Sequence, residues 1–177
     1  MENKNISIHI ITALVSNKPG VLNRVAGLFS KRGYNIESLS VCATEDDLLS
    51  RMTIVVEGDA YILEQITKQL DKLIDVKKVT RLHSDEAILR ELLLIKISVK
   101  PPQRPEIESV VNIYKAKTVD LSPASMVLEL TGESSKIDAF INVVKEYGII
   151  ELARTGLTAL QRGEACIKDL DDYNDLI

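Results

Sequence analysis

A short turn near the amino terminus has the residue pattern best suited to binding a small charged molecule. It is the segment Asn17-Lys18-Pro19-Gly20-Val21-Leu22, and an apolar helical pattern begins directly after Gly20. The first amides of a helix have no acceptor within that helix, so those of Gly20, Val21 and Leu22 could donate to a carboxylate or another anion. Gly20 has no β-carbon, so a ligand can approach its backbone closely. An ordinary Pro-Gly turn without a ligand is the alternative, and it stays open here.

The elements that would position this turn form a βαββαβ unit. Runs of β-branched and alternating apolar residues predict strands at residues 6–15, 36–42, 51–57 and 76–82. Apolar residues at helical spacing predict one helix from Val21, ended by Gly33, and a second helix capped by Asp59. The turn therefore joins the first strand to the first helix.

The same order of elements begins again after residue 91. Met52, Ile54, Val56 and Gly58 correspond to Met126, Leu128, Leu130 and Gly132, each pair 74 residues apart (132 − 58). The sequence therefore predicts an α+β protein made of two tandem ferredoxin-like βαββαβ units. The expected boundaries are 1–82 for the first domain, 83–91 for a connector, 92–163 for the second domain and 164–177 for an acidic tail.

The first predicted strand is apolar on both faces. Ile8 and Ile10 lie on one face, and Ile11, Ala13 and Val15 lie on the other. A ferredoxin-like unit supplies helices to only one face of its sheet, and sheets that are apolar on both faces are usually covered on both. We therefore expect a second copy to cover the remainder, which predicts a homodimer.

Composition argues against several classes of partner and of site. The chain has 177 residues and a formal net charge of −4, with no lysine or arginine block, so we expect neither a nucleic-acid nor a membrane partner. It has no apolar run of the ~20 residues that would span a bilayer, and we expect a cytoplasmic location. His9 is expected to be a sheet residue, and Glu45-Asp46-Asp47 a solvated turn. No catalytic or metal-binding motif is found, and a small enzyme of this fold remains a less favoured alternative.

Three segments resemble one family, the regulatory small subunits of acetolactate synthase (acetohydroxyacid synthase), whose amino-terminal half is an ACT domain. The segments are residues 17–25, residues 28–39 with Arg32-Gly33-Tyr34-Asn35-Ile36-Glu37-Ser38, and residues 50–54. The resemblance continues at Arg154-Thr155-Gly156 and at residues 160–163, so it covers about residues 6–163.

The resemblance implies a non-catalytic subunit that activates a catalytic large subunit. That partner would carry thiamine diphosphate, Mg²⁺ and FAD, and this chain would hold no cofactor. The subunit would confer feedback inhibition by valine, or by leucine or isoleucine, bound between two ACT domains of a dimer. A stand-alone amino-acid sensor that regulates another enzyme or transcription is the alternative.

Carried over by motif, the effector-binding residues would be Asn17, Gly20, Val21, Leu22, Asn35 and Ile36. The loop amides suit a carboxylate, the asparagine oxygens suit an ammonium group, and Cys42 would join Val21, Leu22 and Ile36 in an apolar pocket. Pro19 and Cys42 depart from the family pattern, since a small hydroxyl residue and a small residue such as alanine are expected there. The carboxy-terminal half has no comparable turn, so we expect no second amino-acid site.

Overall fold

The computed structural model describes residues 7–168 and confirms the predicted α+β fold. The described residues form two compact units, the first made of residues 7–88 and 157–168 and the second of residues 89–156. The first unit has the predicted βαββαβ order, and its four strands are arranged β2-β3-β1-β4. Its elements are β1 (Ser7–Ser16), α1 (Val21–Arg32), β2 (Ser38–Ala43), β3 (Leu49–Gly58), α2 (Ala60–Asp71) and β4 (Val76–Leu82).

The residues that were predicted to begin and end the helices of this unit have those roles in the structure. Gly33 adopts the left-handed conformation (φ 69°), and its amide donates to the Ser30 carbonyl as α1 ends. The Asp59 carboxylate accepts a hydrogen bond of 2.9 Å from the Ile62 amide at the start of α2. One face of the sheet packs against both helices around a core that includes Ile11 and Phe29.

The opposite, helix-free face of this sheet is contacted by a later part of the same chain. The Leu157 amide donates to Ser38 Oγ at 3.1 Å, and Ser40 Oγ donates to the Leu157 carbonyl. Thr53 faces this side with Ser40 and is only 3% exposed. The chain itself therefore covers part of this face, which weakens the reason given for a second copy, and the homodimer stays a prediction.

The second unit repeats the plan of the first around a separate core. Its sheet has the strand order β6-β7-β5-β8, and Leu93, Ile95 and Ile97 are completely buried beneath its helices. Gly132 ends β7 as Gly58 ends β3, in agreement with the predicted repeat. The elements are β5 (Ala87–Ser98), a 3₁₀ turn (Pro101–Gln103), α3 (Arg104–Tyr114), β6 (Lys117–Leu121), β7 (Ser125–Gly132), α4 (Ser134–Val144), a second 3₁₀ turn (Lys145–Tyr147) and β8 (Ile149–Arg154).

The boundaries of the compact units differ from those expected from the sequence. Strand β5 begins at Ala87, within the segment expected to be a connector. The second unit ends at residue 156, and the following strand, β9 (Thr158–Gln161), belongs to the first unit. Strand β9 pairs with β5, and residues 87–88 of β5 also belong to the first unit. At the start of the expected tail Ile167 is buried, and Lys168 Nζ lies 3.2 Å from a Glu45 carboxylate oxygen. The rest of the tail, 169–177, lies outside the described residues.

Candidate functional site

The turn before α1 presents unused amide donors at the start of a helix. Gly20 precedes the helix in the left-handed conformation (φ 84°), and no side chain caps the helix there. Within residues 7–168 the amides of Gly20 and Leu22 have no acceptor, whereas the Val21 amide makes a long hydrogen bond of 3.4 Å to the Lys18 carbonyl. Two strong donors therefore remain of the three that were expected, and the positive end of the helix dipole adds to their attraction for an anion.

Arg24 adds a positive charge beside this turn that the sequence analysis did not identify. Its Nη1 would lie 3.4 Å from a β-carbon placed on Gly20, and its Nη2 lies 2.6 Å from an Asp75 carboxylate oxygen. The ion pair holds the guanidinium near the first turn of the helix. Its sequence position could have identified Arg24, because it lies four residues after Gly20 and therefore about one helical turn further along the same face.

Asn17 is oriented by the β2–β3 hairpin. Its amide donates to the Leu48 carbonyl at 2.8 Å, and its side-chain Nδ2 donates to the Asp47 carbonyl at 2.9 Å. Because the side-chain NH₂ group is engaged in this way, its Oδ1 remains as an acceptor next to the exposed turn. An ammonium group could bind there.

Asn35 and Ile36 lie at the other end of the domain. Helix α1 has 12 residues and is therefore ~18 Å long, with Gly20 before its start and Asn35 after its end. Asn35 Nδ2 donates to a Glu37 carboxylate oxygen, and the Glu37 amide donates to the Val55 carbonyl, three residues before β3 ends. Ile36 packs against the domain core. A single copy of the chain therefore does not bring Asn35 together with Gly20.

The residues expected to form an apolar pocket do not share one surface. The side chain of Val21 is 3% exposed and lies in the core, whereas that of Leu22 is 46% exposed. Cys42 pairs directly with Arg51, and both follow the register of Ser40 and Thr53 on the helix-free face of the sheet. Cys42 thus faces away from α1. Its role in effector binding, like that of the other expected residues, stays a prediction.

The remaining titratable candidates have structural partners. Asp46 Oδ1 accepts from the Leu48 amide at 2.9 Å and so closes the β2–β3 turn. His9 Nε2 lies 3.1 Å from the Gly58 carbonyl oxygen in the neighbouring strand, and burial lowers its pKa. Within residues 7–168 no three His, Cys, Asp or Glu side chains cluster as metal ligands would, and no helix has the length and apolar character to cross a membrane.

The βαββαβ order of the first unit, together with a match to an ACT-domain family model, makes this chain an ACT-domain protein. Residues 11–78 match the family model described as an AHAS small subunit-like ACT domain, and residues 90–163 match the model described as the small subunit of acetolactate synthase. The chain belongs to the acetolactate synthase small-subunit family.

Named relatives and a solved structure agree with this assignment. The chain is 54% identical over 155 residues to a probable acetolactate synthase small subunit of Archaeoglobus fulgidus, covering 88% of this chain and 97% of that one. It is 51% identical over 156 residues to the acetolactate synthase small subunit of Bacillus subtilis, covering 87% and 90%. The crystal structure of the small subunit from Thermotoga maritima is 40% identical, covers 90% of this chain and 99% of that chain, and superposes with a TM-score of 0.84.

Proposed function

We propose that this chain is the non-catalytic regulatory subunit of an acetolactate synthase. It would activate a cytoplasmic catalytic large subunit that carries thiamine diphosphate, Mg²⁺ and FAD, and it would make that enzyme sensitive to feedback inhibition by a branched-chain amino acid, first of all valine. Membership of the small-subunit family supports the partner. The donor-rich turn of the ACT domain supports the effector, because it offers the complement of an amino acid's charged groups.

The observation that carries the effector proposal is the pairing of amide donors with a free acceptor on one turn. The amides of Gly20 and Leu22, beside the Arg24 guanidinium, suit the effector carboxylate. Asn17 Oδ1 suits its ammonium group, because the other half of that side-chain amide is already bonded to the hairpin. An apolar side chain on the ligand would then extend away from the turn.

The second half of the site would come from a second copy of the chain. Strand β2 is an edge strand of its sheet, and Asn35 precedes it, whereas its last residue, Ala43, leads into the hairpin that holds Asn17. A two-fold axis that sets two β2 strands antiparallel would place the start of one against the end of the other. Asn35 of one copy would then lie near Gly20 of its partner, twice per dimer.

Inhibition would follow from a linkage between the effector and the catalytic subunit. An effector bound across two copies changes how their ACT domains sit together, and the surface that contacts the catalytic subunit would respond to that change. Thermodynamic linkage requires the reverse effect, so the catalytic subunit must alter the affinity for valine.

Reconstitution with a purified large subunit tests this function. We expect the chain to raise acetolactate formation, valine to reverse that increase, and calorimetry to give different valine affinities with and without the large subunit. Asn17→Ala should weaken valine inhibition at least about tenfold while activation is retained, since it removes one hydrogen bond to a charged group. Asn112→Ala, on an exposed helix position of the second unit, is the matched control and should change neither property.

The outcomes separate the proposal from its alternatives. No activation and no co-elution with the large subunit on gel filtration would rule out the regulatory-subunit assignment. Valine binding under those same conditions would instead identify a stand-alone amino-acid sensor. If Asn17→Ala still activates the large subunit and keeps full valine sensitivity, the assigned partner is correct and the assigned effector site is wrong.

A further inference from the structure

A second cavity lies on the helix-free face of the first sheet, apart from the turn before α1. It has a volume of about 240 Å³ and is bordered by β2, β3 and the returning segment that contains β9. We call it the Arg51 cavity. Its polar lining includes Arg51, Thr53 and Thr158, and Cys42 lies at its edge. All of these residues belong to the first unit.

Arg51 has one donor in this cavity that is buried without a partner. Its Nε atom has no hydrogen bond among residues 7–168, whereas the side chain as a whole is half-buried. An arginine carries five N–H donors, and a buried cation is usually paired with an anion because desolvation of an unpaired charge is costly. Burial lowers the pKa of Arg51, while the nearby groups of Cys166 and Glu45 partly oppose that shift, and the group stays cationic.

Glu45, the carboxylate whose charge acts on Arg51, is also paired with a lysine. Glu45 lies at the cavity edge and its side chain is 79% exposed, and Lys168 Nζ lies 3.2 Å from its carboxylate oxygen. Glu45 therefore divides its attraction between Lys168 and Arg51, and solvent screens it because its side chain is mostly exposed. Thr53 and Thr158 also line the cavity, and their hydroxyls can each donate a hydrogen bond.

The cavity is larger than one water molecule requires. Its volume equals that of about eight waters in the liquid, and it is smaller than the ~300–1,000 Å³ of sites for drug-sized ligands. Water could satisfy the donors but would leave the positive charge without a counter-charge. Carboxylate and phosphate groups match the planar fork of a guanidinium, accepting two of its N–H donors at once.

We propose that the Arg51 cavity binds a small oxyanion of the carboxylate or phosphate class, held by the guanidinium of Arg51 and the hydroxyls of Thr53 and Thr158. Arg51 and Thr53 lie on β3, whereas Thr158 lies on β9, more than a hundred residues later in the chain. A bound anion therefore links the returning segment to the ACT-domain sheet. This site differs from the proposed effector turn, whose donors are backbone amides before α1.

Titration of the full-length ¹⁵N-labelled chain with inorganic phosphate, and separately with acetate at the same ionic strength, tests the site. We expect the Nε–H resonance of Arg51 to shift saturably with at least one of them, and the midpoint of thermal unfolding to rise with it. The stronger of the two responses identifies the class of anion. In the variants the response is read from the unfolding midpoint. Arg51→Met should abolish its rise with the anion, and Arg51→Lys, which keeps the charge and loses the fork, should weaken the affinity at least about tenfold.

Two control variants locate the effect. Arg90→Gln removes an exposed arginine of the second unit that pairs with Glu133, and it should leave the anion response unchanged. Gly20→Asp blocks the amides before α1 and should also leave it unchanged. In anion-free buffer Arg51→Met should be at least as stable as the wild type, because it removes an unpaired charge.

Three results would overturn the proposal. They are the absence of a saturable shift with either anion, an equal response in Arg51→Met, and loss of the response in Gly20→Asp alone. Should Arg51→Met fail to fold, an unchanged anion affinity in a folded Arg51→Lys would overturn it in the same way.

Discussion

Two variants that each destroy valine binding should restore part of it when they are mixed. Gly20→Asp places a carboxylate over the amide donors of one half-site, and Asn35→Ala removes the acceptor from the other half-site. In the proposed dimer each effector site takes Gly20 from one copy and Asn35 from its partner. A mixed dimer then contains one site with both defects and one site with neither, since each variant carries the half that the other lacks.

The size of the recovery follows from the symmetry of the dimer. Equal amounts of two freely exchanging variants give about one half mixed dimers, and each mixed dimer has one intact site of two, so about one quarter of all sites recover. Calorimetry should therefore show no valine binding for either variant alone. After the two are mixed, unfolded and refolded together, it should show about a quarter of the wild-type stoichiometry at the wild-type affinity.

The control and the refutation use the same titration. The control is a mixture of Gly20→Asp with the double variant that carries both Gly20→Asp and Asn35→Ala. No copy in this mixture has an unaltered turn before α1, so no valine binding should be measured. Silence in the complementing mixture as well, with mixed dimers confirmed by mass spectrometry, would refute a site divided between two copies. Binding by either variant alone would show that its altered residue is dispensable.

Three further predictions concern stability and the effector. Gly20→Ala and Gly33→Ala should each lower the free energy of unfolding by about 1–2 kcal/mol, measured in urea, because both positions are left-handed (φ 84° and 69°), and only Gly20→Ala should weaken valine binding. Arg154→Met should cost about 3–5 kcal/mol by the same assay, because its Nε donates to Glu91 at 3.0 Å and the buried carboxylate, 3% exposed, would lose its partner. Burial lowers the pKa of His9 from 6.5, so the unfolded chain binds the proton at a higher pH than the folded chain does. The free energy of unfolding should therefore fall as the pH drops through about 6.5, and His9→Gln should lose that part of the pH dependence.

Local features of the fold were predictable because each depends on a few neighbouring residues. The capping carboxylate of Asp59, the end of α1 at Gly33 and the ends of β4 follow from residue types and short-range periodicity. The separation of Gly20 from Asn35 also follows from the sequence, since a 12-residue helix lies between them. The length of that helix is therefore the reason why the proposed effector site takes the two residues from different copies of the chain.

The return of the chain to the first sheet was not predictable from the same signals. Strand β9 has four residues, too few to establish an alternating pattern, and its partners lie far away in sequence. In β3, Met52, Ile54 and Val56 alternate with Arg51 and Thr53, and this pattern is enough to place the last two on the side away from the helices. It could not show that residues from 157 onwards lie against that side and leave a cavity at Arg51.

This return changes the physical reason for expecting a second copy. The apolar character of both faces of β1 suggested that a partner covers the helix-free face, and hydrogen bonds from Leu157 to Ser38 and from Ser40 to Leu157 show that the chain occupies part of it by itself. Under the proposed effector site, the distance between Gly20 and Asn35 is the stronger reason, and the proposal places the second copy at the β2 edge of the sheet. The same strand carries Ser40 and Cys42 at the Arg51 cavity. An effector bound across two β2 edges and an anion bound against one face of β2 would therefore both contact one strand, and any coupling between them must be reciprocal.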